Sequence, residues 1–163
     1  MTAHDGRSGA LAIAGAVRSG ALSAAAVCEA ALARIVEHNA ALNAFTTVTA
    51  ERARRDAQRI DATLALGKDP GPLAGVPFAV KDLFDIAGVV TRAGSKIDAE
   101  GAPAAADATL VRRLAEAGAV LVGALNMDEY AYGFTTENSH YGPSHNPHDL
   151  ARIAGGSSGG AAA

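Results

Sequence analysis

Apolar residues recur along the first 65 or so positions at spacings of three and four, the period of amphipathic helices. Ser23 is placed to cap one of them, with Val27, Ala31 and Ile35 on one face and Ala30 and Leu32 beside it. Thr49 is placed to cap another, in which Ala50, Ala53, Ala57, Ile60 and Leu64 form an apolar stripe. Arg52, Arg54, Arg55 and Arg59 fall largely outside that stripe. Such stripes serve as core contacts or as a seam for a partner. The period then breaks at GKDPGPLAGVP (67–77), where prolines and glycines fix several torsions and predict a structured loop.

Beyond the loop the pattern changes type. Pro77 to Asp82 reads as a short buried strand ending in a charge pair, Lys81 and Asp82. Asp107 is placed to cap a helix bearing Leu110, Val111, Leu114 and Ala115, with Gly118 as its stop. Ala119 to Leu125 is continuously apolar with β-branched members, so a second buried strand is predicted. Strand, helix and strand in that order predict an α/β fold, with a sheet covered by helices. The expected organisation is a helical region over 1–66 followed by a sheet-containing core over 67–163. Residues 126 to 160 are polar, with tyrosines, histidines and glycines but no sustained period. They predict a long ordered loop, and such loops usually carry function.

Composition narrows the function classes. Of 163 residues, 49% are hydrophobic and 19% charged, which excludes a disordered chain. A net charge of −3 and 4% aromatic residues argue against a nucleic-acid surface. Cys28 is the only cysteine, so an internal disulfide and a cysteine-based zinc cluster are excluded, and a buried apolar role is expected of it. The first ten residues, with Asp5 and Arg7, lack the layout of a signal peptide, and no apolar run approaches the ~20 residues of a membrane span. A cytoplasmic protein is expected. The last nine residues, Gly155 to Ala163, read as a glycine-rich turn entering a helix, and a continuation past Ala163 is expected.

Two places hold candidate chemistry. Lys81 follows Phe78, Ala79 and Val80, so its stem should lie against an apolar wall. Desolvation there favours the neutral amine, which can accept a proton as a general base. The alternative is a plain ion pair with Asp82. The second place is Gly155-Gly156-Ser157-Ser158-Gly159-Gly160, adjacent hydroxyls bracketed by glycines whose backbone can take unusual torsions. A flexible spacer is the competing reading. It is not a phosphate-binding loop, because Ala161 and Ala162 stand where a lysine and a hydroxyl residue are required. His140, His145 and His148 lack metal-ligand spacing and read as hydrogen-bonding loop residues. Asp128, Glu129 and Glu137 read as helix or loop surface groups.

Taken together, GPLAGVPFAVKD (71–82), ATLVRRLAEAGAVLVGALNMDEYAYG (108–133) and GGSSGG (155–160) resemble the amidase signature family. SGALSAAAVCEAALARI and LNAF, near the start, look like the opening of that family. The resemblance implies that Lys81 is the base of a Ser–cis-Ser–Lys relay and that Ser157, preceded by a cis peptide, bridges it to a nucleophilic serine. Ser158, Gly155 and Gly156 would support the turn. The nucleophile would lie in a second glycine-rich segment beyond residue 163. Tyr130, Ala131 and Tyr132 would border the substrate pocket. The implied activity is cleavage of a C–N bond in a small carboxamide or urea-like substrate, without cofactor or metal. The loop wording looks closest to a branch that hydrolyses carboxybiuret alongside a small helical partner subunit. Next is the branch that releases ammonia from glutamine for aminoacyl-tRNA synthesis. A non-catalytic, partner-binding role for the amphipathic helices is the reading from another class. A homo-oligomer is also compatible with it.

Overall fold

In the computed structural model of the protein, residues 8–163 are described. Asp5 and Arg7, on which the signal-peptide reading partly rests, lie outside the described residues. The elements run α1 (Ala10–Arg18), α2 (Ala24–Leu42), β1 (Phe45–Val48), α3 (Ala50–Ala65), β2 (Pro77–Lys81), α4 (Thr109–Glu116), β3 (Val120–Leu125), then four short strands and a final helical turn. A mixed α/β fold is what the strand–helix–strand pattern predicts. The helical run expected over the first 65 residues is interrupted by β1, a four-residue strand too short to show a period.

β3 is the centre of a three-stranded sheet ordered β1-β3-β2, and all six of its residues are buried. It pairs antiparallel with β1, in the register Phe45↔Leu125, Thr47↔Ala124 and Val48↔Gly123. On the β2 side, Val120 N donates to Val76 O at the start of both strands and Asp82 N to Leu125 O at the end of both. That is the parallel sense, so the sheet is mixed.

By contacts the chain forms two units. The first comprises the described residues up to Arg34, with Thr49–Phe78 and Arg112–Val122. Its core is small side chains: Ala14, Val17, Ala24, Val27, Cys28, Ala53, Ala57 and Ile60 are all buried. Burial pushes the Cys28 thiol up to about 11, so it stays protonated and serves as an apolar filler. The 67–77 loop is ordered, as its prolines predict. Leu73 N donates to Ala117 O (2.8 Å) and Gly75 N to Gly118 O (2.9 Å). Gly118, at φ +91°, leaves no room for a β-carbon against Pro70 O, which explains the stop after α4. α4 begins at Thr109, and Asp107 Oδ1, just before it, accepts from Ala87 N (2.8 Å).

The start of α2 illustrates local and distant capping together. Ser23 Oγ accepts from Ala26 N (3.0 Å), as its position predicts. Ala24 N and Ala25 N donate to the Asp61 carboxylate, at 2.7 and 3.0 Å. Asp61 lies on α3, and its charge also complements the positive end of the α2 dipole. Thr49 occupies the N-cap of α3, but its hydroxyl donates to Leu121 O (3.0 Å), so it ties α3 to β3 rather than capping the helix.

The second unit comprises Ile35–Val48, Ala79–Val111 and Gly123–Ala163. It contains the polar 126–160 segment, which is more regular than a loop. Two small antiparallel sheets form it, Glu137–Asn138 (β4) with Gly142–Pro143 (β5), and His145–Asn146 (β6) with Asp149–Ile153 (β7). After them comes α5, Gly159–Ala162. Among the described residues no helix is long and apolar enough to cross a membrane.

Replacing Asp61 with Ala should leave two N–H groups at the start of α2 without acceptors. We expect a loss of about 1–2 kcal/mol in urea-monitored unfolding. A change below a few tenths would mean that the cap contributes nothing.

Candidate active site

Strand alternation decides where the β2 side chains go. Val80 and Asp82 share one face and are buried, 5% and 2% exposed, while Lys81 between them points to the other. The Lys81–Asp82 ion pair is therefore not made. The Asp82 carboxylate instead accepts from Thr46 Oγ1 at 2.7 Å. Burial pushes Asp82 up, partly offset by the Thr46 hydroxyl and by Arg92. Arg92 in turn donates to Thr47 Oγ1 (2.8 Å).

Lys81, half-buried, is hydrogen-bonded through Nζ to Ser157 Oγ at 2.6 Å. Desolvation holds its amine below the ordinary value of 10.5, while the negative charge of Asp128 pulls the other way and is the smaller influence. The sign favours the neutral form, in which the nitrogen lone pair can take a proton from the serine hydroxyl.

The turn that carries Ser157 is built on close approach. The Gly156–Ser157 peptide bond is cis and Gly155 has φ +93°. Ser157 O accepts from Asp128 N (3.2 Å), and Gly160 N donates to Asn126 O (3.0 Å). Gly159 N donates to Thr136 Oγ1 (2.9 Å). A β-carbon at Gly156 would collide with the Asp128 carboxylate and the Thr135 backbone. At Gly159 it would strike the Thr136 side chain, and at Gly160 the backbone of Ala44 and Asn126. Unusual torsion is the role expected of these glycines, and Gly155 fits it; for the other three the governing constraint is space. Ser158 is exposed, at the N-cap position of α5, and makes no side-chain cap.

Tyr130 and Ala131 lie in a 3₁₀ turn, Glu129–Ala131, both with positive φ (50° and 59°), and Tyr132 follows. All three are exposed. Tyr130 OH donates to Asp98 Oδ2 at 2.9 Å. His140 Nε2 meets Glu129 Oε1 (3.2 Å), and His145 Nδ1 meets Leu150 O (2.8 Å), so these two act as hydrogen-bonding loop residues.

Asp128 is a correction. The sequence reads it as a surface group, yet it is 7% exposed and lies against the Ser157 turn. Sequence reasoning also passes over three buried polar side chains that organise the segment. Asn126 Nδ2 donates to Asn43 O (3.2 Å) and Gly142 O (3.0 Å). Asn138 Nδ2 donates to Gly94 O (2.7 Å) and Met127 O (3.0 Å). Thr136 Oγ1 accepts from Gly159 N (2.9 Å), while Thr136 N donates to Asp128 Oδ1 (2.9 Å). The available signal was Asn126 and Asp128 standing directly after a continuous apolar strand, where burial persists.

The sequence profile of the Amidase family matches residues 26–163. The chain belongs to the amidase signature family. It is 62% identical over 147 residues to AtzE, a 1-carboxybiuret hydrolase subunit of Pseudomonas sp. (strain ADP), covering 90% of this chain and 32% of that protein. It is 53% identical over 147 residues to a glutamyl-tRNA(Gln) amidotransferase subunit of Anaeromyxobacter sp. (strain K), covering 90% and 30%. Among solved structures it superposes, with TM-score 0.93 and 59% identity, on a vestigial protein complex bearing on the origins of an s-triazine catabolic enzyme. That match covers 94% of this chain and 34% of the other. A bacterial aryl acylamidase of the amidase signature family matches at TM-score 0.89 and 32% identity, covering 94% and 32%. The chain thus spans about a third of the length of these relatives.

In this amidase-family chain the direction of the Lys81 shift can be measured without turnover. Competitive acylation followed across pH should give Lys81 a midpoint below 10.5. A midpoint at or above that value would remove the basis for a neutral amine.

Proposed function

We propose that the protein is an amidohydrolase in which Lys81 is the general base and Ser157 the bridging hydroxyl of a Ser–cis-Ser–Lys relay. The observation that carries this reading is the 2.6 Å contact between Lys81 Nζ and Ser157 Oγ, with a lysine whose charged form is disfavoured by burial. A serine hydroxyl is a weak nucleophile and needs a base within hydrogen-bond reach. In the relay, a nucleophilic serine contributed by a later segment gives its proton to Ser157 Oγ, while Ser157 passes its own proton to Nζ. The serine oxygen attacks the carbonyl carbon, and the lysine becomes an ammonium. When the tetrahedral intermediate collapses, the proton returns along the same path to the departing nitrogen, releasing ammonia or an amine. Water then attacks the acyl-enzyme with the relay again as base, and the carboxylic acid leaves. No cofactor enters any step.

Gly155, Gly156 and Ser158 shape the bridging turn, and the Tyr130, Ala131 and Tyr132 segment borders the substrate. We assign the catalytic part to residues 67–163 and residues 1–66 to an N-terminal helical region, in a cytoplasmic protein. The preferred substrate is a small urea-like acid, and the support is the higher identity to the carboxybiuret hydrolase protein. Hydrolysis of glutamine in an aminoacyl-tRNA amidotransferase is the second reading, supported by the 53% identity to the amidotransferase protein. Both relatives are named as subunits, which supports a partner chain for this protein too.

The test is ammonia release by the complete gene product from carboxybiuret, glutamine and a simple carboxamide. Lys81→Ala and Ser157→Ala should each lower kcat by roughly a thousandfold or more, with the circular dichroism spectrum unchanged. Wild-type kcat in either would overturn the relay. Because the neutral amine is the active form, kcat/KM should rise with pH through the Lys81 ionisation and fall below it.

A further inference from the structure

Besides bonding Ser157, Lys81 feels the charge of Asp128, whose backbone N–H donates to Ser157 O. Among the described residues, Asp128 Oδ2 is the buried side-chain oxygen that lacks a hydrogen-bond partner. The rest of the residue is held firmly. Oδ1 accepts from Thr136 N (2.9 Å), and the Asp128 N–H donates to the carbonyl of Ser157 (3.2 Å). The carboxylate fills the space that a β-carbon at Gly156 or at Gly133 would need, so two glycines are shaped around it. A buried carboxylate oxygen without a donor is costly and is retained where a cation or a proton comes to it.

We propose that Asp128 is a positioning residue of the relay, fixing the Ser157 turn through its N–H and stabilising the ammonium that Lys81 becomes on taking the proton. The inference rests on the amidase reading above. Its logic parallels that of the aspartate in a serine–histidine–aspartate triad, which orients the base and stabilises its charged form. Burial alone would leave Lys81 a weak acceptor, because the ammonium would have no counter-charge. Asp128, tied through its backbone to the same Ser157 that Lys81 contacts, supplies that charge. The other ionisable groups on the surrounding elements are engaged elsewhere. Asp82 turns to Thr46 on the other face of β2, and Arg92 to Thr47. Glu129 meets His140, and Tyr130 meets Asp98. The Tyr141 hydroxyl donates to Ser95 O.

The experiment uses the complete gene product with Asp128→Asn, which keeps the shape and an acceptor for Thr136 N. Asp128→Ser is the second neutral variant, should Asn disturb folding. We expect kcat to fall on the order of 100-fold in a folded neutral variant. The acid limb of kcat/KM should also move to lower pH, because the charge that favours the ammonium is gone. A fall in kcat with an unmoved limb would reduce Asp128 to a structural prop and overturn the proposal. So would unchanged kcat. Both results leave the relay itself standing provided Lys81→Ala is inactive, whereas an active Lys81→Ala removes the relay and this proposal together.

Discussion

A short hydrogen bond between an amine and a hydroxyl 76 positions apart in the chain sets the terms for the second unit. Neither partner can be held by its own side chain, since a lysine stem has four rotatable bonds and a serine turn is intrinsically soft. What holds them is backbone. Lys81 ends a strand whose last ladder bond runs from Asp82 N to Leu125 O. Ser157 sits in a turn tied at three successive points to Asn126, Asp128 and Thr136. The residues following β3 thus serve both partners, extending the strand that abuts β2 and supplying the bonds that fix the turn.

That arrangement explains why a polar segment is buried. Asn126, Asp128, Thr136 and Asn138 are each shielded from solvent, and between them they satisfy carbonyls and N–H groups of turns that lack a regular ladder. Side-chain amides and hydroxyls take the place of a sheet partner. A segment organised this way can present unusual backbone, including the left-handed Tyr130 and Ala131, on its exposed side.

The sequence made some of this legible and hid the rest for identifiable reasons. Ser23 as a cap, Gly118 as a stop and β3 as a buried strand depend on neighbours within a few positions, and local pattern reveals them. Asp61 does not: it caps a helix that starts 37 positions earlier, and nothing near it in the chain signals this. β1 was hidden by its length, and Thr49 by a hydroxyl that chose a distant carbonyl over its own helix. For Lys81 and Ser157, residue chemistry alone left an ion pair and a spacer open, and only the combination of motifs singled them out. Asp128 was misread because polarity usually marks a surface, whereas here the polar atoms answer backbone groups inside.

The glycines of the Ser157 turn differ in how the chain could drift around them. At Gly159 the nearest obstacles to any larger residue are Cβ, Oγ1 and Cγ2 of Thr136, and because every residue but glycine keeps its Cβ, trimming the side chain at 136 short of glycine leaves the collision in place. At Gly160 the obstacles are main-chain atoms of Ala44 and Asn126, which no exchange of side chains can trim. A larger residue at the first position therefore demands a glycine at 136 as well, while at the second no exchange of side chains makes room, although the two glycines are adjacent and chemically identical.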